Sequence, residues 1–190
     1  MIAPAHDIAT AALTLPKGDL WVFGYGSLMW KPGFPYAEVR AARIHGYHRA
    51  LCVWSWVYRG TQANPGLVAG LDTGGSCVGR AFRVVPAHKT ATARYLYKRE
   101  MVTRVYVPVL APIRLDSGRQ VKALTFIVDR THAQYAGKLG AEQAAVTIRH
   151  ARGKGGANAD YIANTVAHLD ELGIADSLLH EVHALLNAAQ

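Results

Sequence analysis

Residues 22–30 read Val22-Phe23-Gly24-Tyr25-Gly26-Ser27-Leu28-Met29-Trp30 and end a short apolar strand near the start of the chain. Two glycines here bracket an aromatic residue just before a small hydroxyl. Glycine tolerates positive φ and has no Cβ, so successive backbone N–H groups can face a bound anion. We therefore interpret the segment as a candidate cradle for a carboxylate or an oxyanion, formed by Gly24, Tyr25, Gly26, Ser27, Leu28 and Met29. The alternative interpretation is a tight turn with a buried tyrosine.

Two common glycine motifs do not fit this segment. A dinucleotide-binding fingerprint needs a third glycine where the chain has Met29, and it needs a helix where Pro32 and Pro35 intervene. The stretch Gly26-Ser27-Leu28 lacks the closing glycine of a nucleophile elbow. The segment therefore argues against a Rossmann site and gives a serine hydrolase only weak support.

A second candidate residue is Glu100, which ends a predicted helix inside the basic segment 95–101. A carboxylate in a pocket can act as an acid or a base, whereas most acidic residues at helix ends are simply solvated. The helix dipole raises the pKa of a carboxylate at this end, and nearby Lys98, Arg99 and Arg104 lower it. The sequence leaves that balance open. Glu100 is our candidate for a general base.

The remaining pattern predicts an α+β fold in which strands come first and helices follow. Glycine-rich turns separate the apolar runs at 72–76 and 116–118. Predicted strands cover Leu20–Gly24, 43–58, 67–71, 78–85, 104–110 and Gln120–Val128. A helix begins at Pro86, a residue suited to the first helical turn, and runs to Met101. Asn158 and Asp176 are predicted to cap two further helices, of which the first ends at Gly173.

The composition predicts a compact globular protein without membrane insertion. The chain has 190 residues, of which 51% are hydrophobic, and no apolar run approaches the about 20 residues of a membrane span. We predict one domain at 19–190 after a loosely ordered N-terminal arm at 1–18. Cys52 and Cys77 lie in separate predicted strands, and their spacing does not decide whether they are bonded. A reducing cytoplasm is the expected location.

The net charge of +8 suggests a nucleic-acid partner, but the distribution of the charges does not. Lysine and arginine are scattered, and the densest run, 149–154, contains no aromatic residue to stack on bases. We expect a field that attracts a small anionic substrate, and no nucleic acid. His45 and His48 lack the spacing of zinc ligands, and Gly153-Lys154-Gly155-Gly156 lacks the spacing of a P-loop and reads as a flexible turn. We therefore expect no metal.

Several motifs in the same order resemble the ChaC family of γ-glutamylcyclotransferases specific for glutathione. The resemblance covers about residues 20–186. In addition to residues 23–30, it rests on the motifs Arg59-Gly60-Thr61, Pro65-Gly66-Leu67-Val68, Gly74-Gly75-Ser76-Cys77-Val78-Gly79, Arg99-Glu100-Met101, Ala123-Leu124-Thr125-Phe126, Tyr135-Ala136-Gly137 and Asn158-Ala159-Asp160-Tyr161-Ile162-Ala163-Asn164-Thr165-Val166. The chain departs from the usual pattern at Met29, at Tyr97 and in the loop 62–64. The roles of Arg59 and Tyr161 stay open at this stage.

The resemblance implies a compact β-barrel with flanking helices and a reaction without cofactor. In that reaction the α-amine of a γ-glutamyl group attacks its own γ-carbonyl, so that glutathione yields 5-oxoproline and cysteinylglycine. Glu100 would be the acid and base, and the segment from Gly24 to Met29 would hold the α-carboxylate or the oxyanion. The alternatives are a cyclotransferase for other γ-glutamyl amines or amino acids, and a non-catalytic γ-glutamyl-binding or regulatory module.

Overall fold

A computed structural model describes residues 14–188 as a closed five-stranded barrel with helices packed outside it. The strands are β1 (Leu20–Gly24), β2 (Glu38–Ser55), β3 (Gly66–Val84), β4 (Tyr106–Leu115) and β5 (Gln120–Val128). Their order around the barrel is β1-β3-β2-β4-β5, and a parallel pairing of β1 with β5 closes it. The predicted α+β barrel with flanking helices is confirmed. Residues 1–13 of the predicted arm lie outside the described residues.

Four helices and one small hairpin complete the described chain. The helices are α1 (Pro86–Glu100), α2 (Ala141–His150), α3 (Asn158–Glu171) and α4 (Ser177–Asn187), and the hairpin pairs β6 (Arg152–Gly153) with β7 (Gly156–Ala157). Helix α2 is not among the elements predicted from the sequence. None of the helices between residues 14 and 188 combines the length and apolar character that a membrane span needs.

The turn predicted at 72–76 is wrong, because β3 continues through it. Gly74 and Gly75 have φ values of 100° and 66°, which glycine adopts without a Cβ clash. On either side the strand stays paired with β2: His45 lies opposite Ser76, and Tyr47 lies opposite Thr73. One extra residue of β3 is therefore accommodated as a β-bulge that bends a long strand. The two glycines therefore mark a β-bulge within β3 and not the end of a strand.

Helix α1 packs across one side of the barrel and places its last turn near the end of β1. Leu96, which is fully buried, contacts a cluster with Val22, Phe82, Leu124 and Phe126 of three strands. Helices α2, α3 and α4 form a second layer, packed on the start of β3 and the second half of β2. Burial of these apolar faces is the main stabilising contribution to each layer.

The edge of β2 that faces away from β3 is covered by the segment 134–136. Trp54 donates its backbone N–H to the carbonyl of Gln134 at 2.8 Å, and Ala136 donates to the carbonyl of Cys52 at 2.8 Å. Val53 and Tyr135 form an isolated antiparallel bridge between these bonds. The end of β2, at residues 52–54, is therefore paired along both edges.

The sequence predicts that Asn158 caps α3, and this prediction is wrong. The side chain of Asn158 pairs with the backbone of β3 instead. The N-cap position belongs to Ala157, and Asn158 is the first helical residue. Its side chain is fully buried, accepts from the N–H of Leu67 at 2.6 Å and donates to the carbonyl of Leu67 at 2.9 Å. It replaces a neighbouring strand for Leu67, because buried backbone groups need partners. The predicted cap at Asp176 is confirmed, since its carboxylate accepts from the N–H of Leu179.

We expect Asn158→Ala to lower the free energy of unfolding by about 2–4 kcal/mol, because it leaves both backbone groups of Leu67 buried without partners. Urea denaturation measures the change. Asn164→Ala is the matched control, since Asn164 lies exposed on the same helix and its side chain donates a hydrogen bond to the carbonyl of Asp160, four residues earlier. Equal destabilisation by both substitutions would contradict the assignment of Asn158 as a strand partner.

Candidate active site

A cavity of about 530 Å³ opens between the last turn of α1, the segment after β1, the loop after β2 and the start of α3. This volume lies within the range of small-molecule sites. Its lining is mixed, with aromatic and aliphatic side chains interrupted by a few charged and hydroxyl groups. The polar and aromatic residues of the lining are Tyr25, Ser27, Lys31, Trp54, Ser55, Trp56, Tyr58, Arg59, Tyr95, Arg99, Glu100, Thr103, Tyr106, Phe126, Gln134 and Tyr161.

Glu100 is the C-terminal residue of α1 and lines this cavity. Its side chain is only 19% exposed, and one carboxylate oxygen lies 3.1 Å from Nε of Arg99. Burial raises the pKa of the Glu100 carboxyl, and the positive charge of Arg99 opposes the rise without cancelling it. The balance that the sequence left open therefore favours the raised value. A carboxyl of this kind can exchange a proton closer to neutral pH than an ordinary glutamate.

The segment after β1 forms a single 3₁₀ turn, Ser27–Met29, closed by a 2.9 Å bond from the N–H of Met29 to the carbonyl of Gly26. A side chain at position 24 would not fit, because its Cβ would lie 2.9 Å from Cβ of Leu28. Among the described residues, no group accepts a hydrogen bond from the N–H of Gly26, Ser27 or Leu28. The turn therefore presents donors that a ligand can use.

The structure brings most of the predicted site residues to the same cavity. Tyr25, Gly26, Ser27 and Leu28 line it together with Glu100. Gly24 and Met29 do not. Gly24 allows the turn to approach the strand closely. Met29 is 1% exposed and packs among the outer helices.

Arg99 connects the two predicted parts of the site. Its Nη2 donates to Oγ of Ser27 at 2.8 Å, and its Nη1 donates to the carbonyl of Lys31 at 2.6 Å. The same guanidinium holds Glu100 through Nε. A planar guanidinium suits this task because its donors point in fixed directions. The turn and the carboxylate are therefore held in one hydrogen-bonded unit.

Three tyrosines line the cavity, of which Tyr25 is buried and Tyr106 and Tyr161 are half-buried. Burial raises the pKa values of Tyr25, Tyr106 and Tyr161, so that all three keep their protons at neutral pH. The hydroxyl of Tyr25 donates to the carbonyl of Phe126 at 3.0 Å. The hydroxyl of Tyr161 accepts from the N–H of Ala69 at 3.1 Å, which leaves its own proton for a ligand. The role of Tyr161 is open in the sequence, and no local pattern there distinguishes Tyr106 from a core residue.

Arg59 lines the cavity from the loop after β2, and its guanidinium carbon lies 5.5 Å from the ring centroid of Tyr161. Its Nη1 donates to the carbonyl of Ala157 at 3.2 Å. The turn predicted at 153–156 is present as the tip of the β6–β7 hairpin, which packs on the loop that carries Arg59. Gly155 donates its N–H to the carbonyl of Tyr58 at 2.8 Å. The hairpin therefore fixes the arginine.

Within residues 14–188, no group of three or more histidine, cysteine, aspartate or glutamate side chains is arranged to hold a metal ion. Cys52 and Cys77 are both buried and unbonded. Burial raises the pKa of the Cys52 thiol to about 12, which makes it a poor nucleophile. Neither cysteine lines the large cavity.

Comparison with known proteins assigns the family. The family described as ChaC-like protein matches residues 20–189. The chain is 37% identical over 174 residues to the glutathione-specific gamma-glutamylcyclotransferase of Escherichia coli (strain K12), covering 92% of this chain and 75% of that protein. It is 31% identical over 173 residues to glutathione-specific gamma-glutamylcyclotransferase 1 of Homo sapiens, covering 84% of this chain and 76% of that protein.

A solved structure shows the same fold. The crystal structure of a gamma-glutamyl cyclotransferase specific to glutathione from yeast superimposes with a TM-score of 0.82. The sequences are 23% identical, and the match covers 91% of this chain and 97% of the yeast chain. The barrel is thus the γ-glutamylcyclotransferase-like fold expected from the motifs. Together with the matched sequence, this shows that the chain belongs to the ChaC family.

Proposed function

We propose that the protein is a glutathione-specific γ-glutamylcyclotransferase that releases 5-oxoproline and cysteinylglycine. The observation that carries the proposal is a half-buried carboxyl, Glu100, that shares one cavity with a turn in which the N–H groups of Gly26, Ser27 and Leu28 have no partner in the described chain. The names of the two relatives described above point to the same substrate.

The reaction asks little covalent chemistry of the protein, because nucleophile and electrophile belong to the same substrate molecule. A γ-glutamyl group must curl until its α-amine approaches its γ-carbonyl. A site that holds this conformer gives the amine a large effective molarity. The cavity supplies the confinement, and no enzyme nucleophile is required. The buried thiols of Cys52 and Cys77, which lie outside the cavity, fit this scheme.

Glu100 has the position and the protonation behaviour for both proton transfers. As a carboxylate it accepts a proton from the substrate ammonium, whose reference pKa is near 8. The amine nitrogen then bonds to the γ-carbon, and the bond from that carbon to the cysteine nitrogen breaks. Two protons leave the attacking nitrogen in all, and two arrive on the departing nitrogen. The raised pKa of the Glu100 carboxyl lets it release each proton again.

The turn after β1 is the proposed anion cradle. Gly26, Ser27 and Leu28 line the cavity, and their N–H groups are free to donate to the α-carboxylate or to the developing oxyanion. Preorganised donors of this kind stabilise a transition state because they need no reorganisation. Gly24 and Met29 support the turn from behind and are not proposed to touch the substrate.

The charge of the cavity fits an anionic peptide. Lys31, Arg59 and Arg99 line it with Glu100 as the acidic residue of the wall. Glutathione carries two carboxylates and one ammonium, so its net charge is negative. Oppositely charged walls raise the local concentration of such a substrate. The protonated hydroxyl of Tyr161 adds one neutral donor.

The other expectations from the sequence become part of this proposal. The reaction needs no metal or organic cofactor, and a chelator would not stop it. We propose that the protein does not bind nucleic acid. In support, the arginines Arg40, Arg83 and Arg130 outside the cavity are paired with carboxylates. We propose a cytoplasmic location, with the two unbonded cysteines as support, and a single catalytic domain over residues 19–190.

The direct test is incubation of the purified protein with glutathione in chelator-containing buffer, with 5-oxoproline and cysteinylglycine followed by mass spectrometry. Equal amounts of both products are expected. Turnover of other γ-glutamyl amines or amino acids, with none of glutathione, would replace the proposed substrate. Tight glutathione binding without product would indicate a binding module.

Glu100→Gln is expected to reduce kcat by about 100- to 10,000-fold, the usual contribution of a general acid or base. The amide keeps the shape of the side chain, so glutathione binding should persist, as isothermal titration calorimetry would show. Glu142→Gln, at an exposed position of α2, is the matched control and should retain wild-type turnover. Near-normal turnover in Glu100→Gln would remove Glu100 from the mechanism.

The pH profile of kcat/KM tests the role of Arg99. Protonated Glu100 cannot accept a proton, so activity falls on the acidic side as pH drops through its pKa. Arg99 lowers that pKa against the effect of burial, so Arg99→Gln raises it and moves the acidic limb to higher pH. Lys98→Gln removes the same charge from an exposed neighbour and should leave the limb in place. A shift shared by both variants, or absent from Arg99→Gln, would contradict this electrostatic assignment.

A further inference from the structure

Arg49 is a buried cation on β2 that lies behind the turn and outside the large cavity. Its side chain is 4% exposed. Its Nε donates to the carbonyl of Tyr25 at 2.6 Å, and its Nη2 donates to the carbonyl of Val78 at 2.8 Å. Its Nη1 donates to Oδ2 of Asp176 at 3.1 Å, which neutralises the charge. All three nitrogens of the guanidinium group are thus engaged.

The bond to Tyr25 fixes the orientation of the peptide that joins Tyr25 to Gly26. In a trans peptide the C=O and N–H groups point in opposite directions. The carbonyl of Tyr25 points toward Arg49, so the N–H of Gly26 points away from it. Gly26 lines the large cavity, and no described residue accepts from its N–H. This orientation leaves the donor available to a ligand in the cavity.

Glycine at position 26 makes this support necessary. A residue without a side chain can turn its flanking peptide at little cost, so an unsupported Tyr25–Gly26 peptide would sample several orientations. A preorganised donor must not need to rotate when charge develops. Burying a cation is costly unless its hydrogen bonds and its charge are satisfied, as they are here. Lysine could not reproduce three bonds in fixed directions.

We propose that Arg49 is a positioning residue, which holds the Tyr25–Gly26 peptide so that the N–H of Gly26 serves as an anion donor in the cavity. The inference rests on the proposed function for its kinetic consequence only. The orientation of the peptide itself does not depend on which substrate is turned over.

The experiment compares Asp176→Asn with the double variant Arg49→Met, Asp176→Asn. The single variant keeps the bond from Arg49 to Tyr25, and asparagine is as good an N-cap as aspartate, so α4 remains capped. The double variant removes the guanidinium without leaving a buried carboxylate unpaired. Thermal unfolding first establishes that both variants fold cooperatively.

Steady-state kinetics with glutathione should show most of the wild-type kcat/KM in Asp176→Asn and a loss of about 100-fold in the double variant, as expected for one lost donor. A loss confined to kcat would place the oxyanion at Gly26, and a loss confined to KM would place the α-carboxylate there. Equal kcat/KM in two folded variants would overturn the proposal.

Crystal structures of the same variants give a readout that is independent of activity. The Tyr25–Gly26 peptide should keep its orientation in Asp176→Asn and should rotate or become disordered in the double variant. An unchanged, ordered peptide without the guanidinium would overturn the inference. If the wild-type protein formed no 5-oxoproline, the proposed function would fail, and these structures would still decide the role of Arg49.

Discussion

The parallel pairing of β1 with β5 is the constraint on which the rest of the structure depends. Trp21 lies opposite Ala123 and Val22 opposite Leu124, and this short contact closes the barrel. Because β1 ends beside β5, the phenol of Tyr25 reaches the carbonyl of Phe126. The turn that follows is thereby fixed against the barrel wall at the place where the last turn of α1 arrives.

The local patterns of the sequence predicted the parts of the site but not their connection. The glycines around Tyr25 and the carboxyl of Glu100 can be recognised in the sequence because each depends only on residues that are close along the chain. The guanidinium of Arg99 that joins them, and that of Arg49 behind the turn, depend on contacts between distant segments. Two arginines in a basic chain carry no signal of such a role.

The errors in the fold prediction have the same origin. Gly74 and Gly75 predict a turn when only their neighbours along the chain are considered. The bulge arises because β2 remains paired on both sides of them. Asn158 has the residue type of a cap, and the buried backbone of Leu67 competes successfully for its side chain. Helix α2 has no clear apolar stripe in the sequence, so it is not predicted. Its buried face consists of the small residues Ala141, Ala144 and Ala145 and one large apolar residue, Ile148.

The cover over the free edge of β2 has a consequence for how the protein behaves in a crowded solution. A strand with unpaired N–H and C=O groups invites a strand of another molecule, and long strands are the most exposed to this risk. The bonds of residues 134–136 to Cys52 and Trp54 occupy that edge. The end of β2 that lines the ligand cavity, at Val53 and Trp54, therefore offers a strand of another molecule no free edge to pair with.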